Sequence, residues 1–296
     1  MRRLAVAGAG ATLAGAAFAS AALAAALARR ATAGAARAAA AAPRSPTAAR
    51  APLSRAAGGV AGPEALERLV RAREAVDALA TACAARNALL VHYSTDYVFP
   101  GDDPRPRRED DPIGPINVYG ASKLAGEEAI RASGCRHLLF RISWVYAARG
   151  HNFLRTMLRL AGERDELRVV SDQIGAPTPA HWIAEATAKA IAAATGPESN
   201  RGNASSRSGT WHLAAGGETS WHGFAEAIFE EAQRAGLITQ RPPVVPVPTS
   251  EYPAPARRPT YSRLDSAKLE RDFGIVLPDW RQGLSEVIAA LRNHSL

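Results

Sequence analysis

The stretch Asn87-Ala88-Leu89-Leu90-Val91-His92-Tyr93, running on into Ser94-Thr95-Asp96-Tyr97-Val98-Phe99, sets the fold class of this chain. Its first seven residues form a short apolar run of the kind that makes a buried strand in a parallel sheet. Hydroxyl-bearing and acidic residues follow at the strand's C-terminal end, the edge at which open α/β sheets bind ligands. The next helical segment carries Tyr119-Gly120-Ala121-Ser122-Lys123, a phenol and an ammonium four residues apart. That spacing puts both on one helix face, one turn apart. The positive charge favours the phenolate and is expected to lower the tyrosine pKa from its usual ~10 toward working pH. A phenol tuned in this way is a usable proton donor or acceptor. Thr95, at the end of the preceding strand, is expected to hold a carbonyl oxygen beside it. Together Thr95, Tyr119 and Lys123 suit reversible carbonyl reduction by hydride transfer. The pair is more telling than usual because only three lysines (Lys123, Lys189 and Lys268) stand against 33 arginines. The plain alternative is a solvent-facing helix on which Tyr119 and Lys123 merely pack together.

Working outward, Pro63 to Arg86 reads as a helix, with Leu66, Leu69, Val70, Val76, Leu79 and Ala80 spaced for one apolar face. Pro100 to Pro115 is a charged, proline-containing loop, and Arg136 to Tyr146 reads as a second buried strand. Helices are expected over Asn152 to Gly162, Ala180 to Ala194, Trp221 to Ala235, Ser266 to Asp272 and Trp280 to Arg292. Leu167 to Val170 and Trp211 to Ala214 are short strands, and Asp172 to Thr178 is a polar loop. Arg241 to Arg258 is proline-rich and is expected to wrap over the surface. Strands alternating with helices imply a parallel α/β sheet.

A chain of 296 residues with 47% apolar side chains has room for one large α/β domain, or one with a smaller partner. Cys83 and Cys135 form no C-x-x-C, and the seven histidines show no metal-ligand spacing. Reduced thiols in a cytosolic protein and no metal site are therefore expected. The net charge of +8 is not a nucleic-acid signal, because residues 1–60 hold eight arginines and no lysine or acidic residue. The other 236 residues carry 28 basic and 28 acidic side chains, so the body is neutral. Neither nucleic acid nor membrane is an expected partner of that body.

Residues 1–60 are almost entirely Ala, Arg and Gly with some Pro, Ser, Thr and Leu. A targeting segment, a disordered low-complexity arm and a frameshifted translation of G+C-rich DNA all fit this composition. We favour the last. Leu4-Ala5-Val6-Ala7-Gly8-Ala9-Gly10 could open a dinucleotide-binding turn. However, its glycine spacing continues to Gly15 without completing a fingerprint, and no acidic residue follows to read a ribose.

Six motifs in order then identify a family. They are His92 to Phe99; Pro115-Ile116-Asn117-Val118-Tyr119-Gly120 with Lys123-Leu124-Ala125-Gly126-Glu127; Arg141 with Ser143-Trp144-Val145-Tyr146; Asp172-Gln173 with Gly175 to Thr178; Arg258-Pro259 with Ser262-Arg263-Leu264; and Leu277-Pro278-Asp279-Trp280. Over residues 61–296 the chain resembles the dTDP-4-dehydrorhamnose reductase family of extended short-chain dehydrogenases/reductases. The resemblance implies a doubly wound, Rossmann-like parallel sheet over about 61–170 and a smaller substrate-binding part over about 171–296. It also implies reduction of the C4 ketone of dTDP-4-dehydro-L-rhamnose by NADPH, or by NADH as the alternative. Tyr119 would protonate the C4 oxygen, and Lys123 would bind the nicotinamide ribose and tune Tyr119. Thr95 would hydrogen-bond the ketone and, with Asp96, hold the sugar, while Tyr93 would contact the cofactor and Trp144 the substrate.

Bland alternatives stand beside two of these assignments, Trp144 as a core residue and Asp96 as a helix or turn cap. Arg257 and Arg258 are candidates to contact the nucleotide's phosphates, with a solvated basic pair as the alternative. The implied protein is cytoplasmic, with a homodimer among the assemblies open to it. Two departures stand out: Ile142 where the family has threonine, and the chemistry of residues 1–60 where the family has its glycine loop. The rival reading is a non-catalytic subunit resembling the regulatory subunit of methionine adenosyltransferase. The joint presence of Thr95, Tyr119 and Lys123 argues against it.

Overall fold

The structure is a computed structural model. It describes residues 63–196, 207–252, 254 and 256–294. The anomalous segment 1–60 and the candidate turn Leu4 to Gly10 lie outside the described residues.

Helix α1 (Pro63–Ala85) leads into strand β1 (Leu90–Thr95), helix α2 (Val118–Ser133) and strand β2 (His137–Ile142). After a short strand β3 (Val145–Tyr146) come helix α3 (Phe153–Ala161), β4 (Leu167–Val170), β5 (Ile174–Gly175), β6 (Thr178–Pro179) and helix α4 (Ala180–Thr195). Strand β7 (Gly209–Leu213), β8 (Thr219–Ser220), helix α5 (Trp221–Arg234), β9 (Val244–Val247), helix α6 (Ala267–Phe273) and helix α7 (Trp280–His294) complete the order. The helices match those read from the apolar spacing to within a residue or two at each end.

The main sheet is β1-β2-β7 with every pairing parallel, Tyr93 opposite Phe140 and Phe140 opposite Trp211. Side chains alternate faces along a strand, and β2 shows both destinations. Leu138 and Phe140 pack with Ile183, Ala186 and Ala190 of α4, while Leu139 packs with Ala80 of α1 and Ile130 of α2. All three β2 residues are fully buried. Helices therefore cover both faces, which makes the sheet doubly wound and explains why its strands read as unbroken apolar runs. Removing each such side chain from water contributes about 1.5–3 kcal/mol. A second core is built by α3, α5 and α7, with Leu154, Met157, Phe224, Ile228, Trp280 and Leu284 among its buried residues.

Four stretches fold differently from their sequence reading. The strand read over Asn87 to Tyr93 is shifted to Leu90–Thr95, because Asn87 turns the chain at φ 50. The loop read over Asp172 to Thr178 holds β5, which pairs with β8, and the start of β6. Arg136 to Tyr146 is not one strand. It breaks after Ile142, because Trp144 adopts a left-handed backbone (φ 45) and sends Val145–Tyr146 to pair with β6. The proline-rich 241–258 segment is not all surface wrapping. Val244–Val247 pairs in parallel with β4, leaving Val247 buried. A proline is tolerated there because this is a two-stranded sheet with every strand at an edge.

Candidate active site

Thr95 is the last residue of β1 and caps the 3-10 turn Asp96–Val98, its hydroxyl accepting from the Tyr97 amide at 3.3 Å. The same Oγ1 donates to Asp96 Oδ1 at 2.7 Å. Asp96 Oδ2 accepts from Ser143 Oγ at 2.9 Å, and that hydroxyl also lies 3.3 Å from the Ser262 carbonyl oxygen. Asp96 is only 4% exposed. Burial pushes its carboxyl up to about 6, against the pull of the Thr95 and Ser143 hydrogen bonds. The turn cap is thus Thr95 itself, and both Asp96 oxygens serve neighbouring hydroxyls. Ser143 stands in one of the six motifs, but the sequence gives it no role because that role depends on the break at Trp144.

Helix α2 presents the phenol and the ammonium. It starts where it does because Asn117 Oδ1 accepts from the Gly120 amide at 2.8 Å, an N-cap. Gly120 is required: a Cβ there would stand 2.2 Å from the Tyr97 carbonyl oxygen. This close approach brings the Tyr119 ring edge-to-face with Tyr97 at 5.9 Å. The expected lowering of the Tyr119 pKa does not occur. Burial first, and then the Asp96 charge, push it up to about 12, with hydrogen bonding from Thr95 working the other way. The phenol therefore stays protonated, which is the form that a reduction consumes.

Lys123 is half-buried and makes no hydrogen bond or ion pair among the described residues. Burial lowers its pKa while Glu127 opposes the shift. Its charge also reaches β1, where burial and then Lys123 hold His92 down to about 4. An ammonium without a partner, one turn from a protonated phenol, fits the ribose end of a nicotinamide cofactor. The glycine cradle for the pyrophosphate, which the sequence offers only at Leu4 to Gly10, lies outside the described residues.

Beneath this helix lies a buried ion pair that sequence reading did not connect. Glu127 is fully buried and accepts from Arg141 Nε at 2.9 Å and Nη2 at 2.8 Å, with Arg131 adding a third bond at 3.1 Å. Arg141 also lies over the Phe99 ring at 5.0 Å. Glu127 and Arg141 sit in two of the six motifs, eight and 22 residues beyond Tyr119.

Two further candidates turn elsewhere. The Tyr93 hydroxyl bonds Thr187 of α4 at 2.8 Å, and its ring packs toward Phe140, so it stands apart from the Thr95–Asp96–Ser143 network. The Trp144 indole stacks on Trp221 at 3.6 Å with an interplanar angle of 5°.

Arg257 and Arg258 line a cleft of about 280 Å³ together with Gln173, Thr249 and Tyr252. Gln173 Oε1 and the Tyr252 hydroxyl are buried there without a partner among the described residues. The Arg258 charge acts on Tyr252 in this cleft and also on Tyr97. Asn117 joins the two regions directly, since its Nδ2 donates to the Arg257 carbonyl oxygen at 2.8 Å.

Comparison with known proteins accords with this geometry. A family model described as RmlD substrate binding domain matches residues 63–293. The dTDP-4-dehydrorhamnose reductase of Shigella flexneri is 49% identical over 217 residues, which are 73% of this chain and 70% of the relative. The protein of the same name from Burkholderia thailandensis is 52% identical over 212 residues, 70% of each chain. Among solved structures, a dTDP-4-dehydrorhamnose reductase from Bacillus anthracis in complex with NADP superposes with a TM-score of 0.65 at 36% identity, covering 73% of this chain and 70% of the other. On the family match and these identities, the chain belongs to the dTDP-4-dehydrorhamnose reductase family.

Proposed function

We propose that this chain reduces the C4 ketone of dTDP-4-dehydro-L-rhamnose to the alcohol of dTDP-L-rhamnose, using NADPH. The observation that carries the reading is the meeting of two groups at the C-terminal end of β1. One is the Thr95–Asp96–Ser143 hydrogen-bond chain, and the other is the protonated Tyr119 phenol with Lys123 one turn away. The names of the relatives and the NADP of the Bacillus anthracis structure support the same substrate and cofactor.

NADPH, when bound, supplies the hydride to C4. Tyr119 gives the proton to the developing alkoxide, a role for which a phenol kept protonated by burial is suited. Lys123 holds the cofactor ribose with its unpaired ammonium and places a positive charge beside the phenol as it loses its proton. Asp96 fixes the Thr95 side chain next to the ketone and, through Ser143, ties it to the segment carrying Trp144. Trp144 contacts the sugar, and Tyr93, two residues before the end of β1, stands by the cofactor. The cleft of Arg257, Arg258, Gln173 and Tyr252 takes the nucleotide, with arginines for the phosphates. The part after residue 170 thereby supplies the contacts to the nucleotide. As part of the same proposal the protein works in the cytoplasm; among the described residues no helix is long and apolar enough to cross a membrane.

The deciding assay follows NADPH oxidation by the purified chain with dTDP-4-dehydro-L-rhamnose, alongside calorimetric binding of dTDP-L-rhamnose. Turnover that disappears in Tyr119→Phe supports the reading. A chain that neither turns over nor binds the sugar nucleotide would overturn it.

A further inference from the structure

Trp144 is held in an unusual way. A bulky residue rarely adopts a left-handed backbone, and one at φ 45 persists only where its surroundings enforce it. Ser143 before it is bonded to Asp96, and the Trp144 carbonyl accepts from the Thr178 amide at 3.2 Å. The edge of its indole lies on Gly175, where a Cβ would stand 2.4 Å from the ring. One face lies flat on Trp221. Trp221 is itself fixed from behind. It opens α5 under an N-cap from Ser220 and packs against Phe153 at 4.7 Å. Both indole N–H groups are buried, and neither has a partner among the described residues. Buried indoles in a core ordinarily find an acceptor. Two stacked indoles that lack one, beside a strained backbone, are not what packing alone selects. Despite this enclosure Trp144 remains only half-buried.

We propose that Trp221 is a positioning residue for the sugar end of the site: its stacking on Trp144 fixes that indole as the wall on which the deoxysugar ring rests. The inference depends on the reading above, in which Trp144 contacts the sugar. Trp144 and Thr95 are joined through Ser143 and Asp96. A shift of the wall therefore moves the ketone relative to the groups that hold and protonate it. Trp221 acts through Trp144 and does not itself touch the reacting atoms.

The test measures calorimetric binding of dTDP-L-rhamnose and of dTDP alone to the full chain, its Trp221→Ala and Trp221→Phe variants, and Trp144→Phe. Circular dichroism on the same samples reports the exciton couplet of the stacked indoles. Trp221→Ala is expected to weaken dTDP-L-rhamnose about tenfold, the scale of one aromatic stacking contact, and dTDP by less than about twofold. Trp221→Phe should recover most of the loss, and the couplet should vanish in all three variants. Wild-type affinity for dTDP-L-rhamnose in Trp221→Ala, or an equal loss for both ligands in a folded variant, would overturn the inference while leaving the reductase reading intact. A wild-type chain that binds neither ligand would overturn that reading and this inference together.

Discussion

The Thr95 hydroxyl donates to the Asp96 carboxylate across 2.7 Å, so the group expected to hold the ketone is itself held by a buried acid. Because burial raises the Asp96 pKa to about 6 from 3.8, the native state binds a proton more tightly than the unfolded chain does. The sign follows from linkage: stability falls as pH rises from about 4 to about 6, where the buried carboxylate becomes charged, and then levels off. Asp96→Asn removes that ionisation. The difference in urea midpoint between variant and wild type should therefore shift in favour of the variant between pH 4.5 and pH 7.5. Activity of Asp96→Asn should fall at least about tenfold, since its amide cannot accept from both hydroxyls. A midpoint difference independent of pH would show that Asp96 does not titrate in this range.

Tyr119→Phe should lower kcat by about 10²–10⁴-fold, the usual contribution of a positioned general acid, with little change in the KM for sugar nucleotide. Lys123→Met should instead raise the KM for NADPH as well as lowering kcat, because its ammonium is assigned to the cofactor ribose. Steady-state kinetics with each substrate varied in turn separate the two patterns.

Glu127→Ala should destabilise the fold by about 3–5 kcal/mol, because it leaves the Arg141 guanidinium uncompensated in the interior. Burial alone would raise the Glu127 pKa, but the Arg141 hydrogen bonds and charge outweigh it and hold the carboxyl below its ordinary value. Its contribution is accordingly present above the ordinary glutamate range and lost as pH falls through the lowered value. Chemical denaturation of wild type and variant at neutral and acidic pH checks both statements.

Gly120→Ala should cost about 1–3 kcal/mol and most of the activity, because its methyl would meet the Tyr97 carbonyl oxygen and force apart the two tyrosines. Thermal melts and kcat measure the two effects. A variant with wild-type activity would show that the spacing between α2 and the strand end is not needed for catalysis.

The sheet and the positions of Thr95, Tyr119 and Lys123 were legible because they rest on local pattern. An apolar run makes a strand, and a four-residue spacing makes a shared helix face. What escaped depends on distant partners or on backbone the pattern does not reveal. Nothing in Ser143-Trp144-Val145 announces a left-handed residue, so the stretch reads as one strand. Trp221 is 77 residues from the indole it covers. The tyrosine pKa is not legible in the spacing, which shows neither the depth of burial nor the neighbouring Asp96 that raise it.

Asn117 uses the two ends of one amide for two tasks: its oxygen starts the helix bearing Tyr119, and its nitrogen grips the backbone of Arg257. In the proposed enzyme, the segment that grasps the phosphates is thereby geared to the proton donor. Affinity gained far from the ketone can be spent on aligning the reaction. A free deoxysugar, lacking the diphosphate handle, would leave that gear disengaged and be a poor substrate even at saturating concentration.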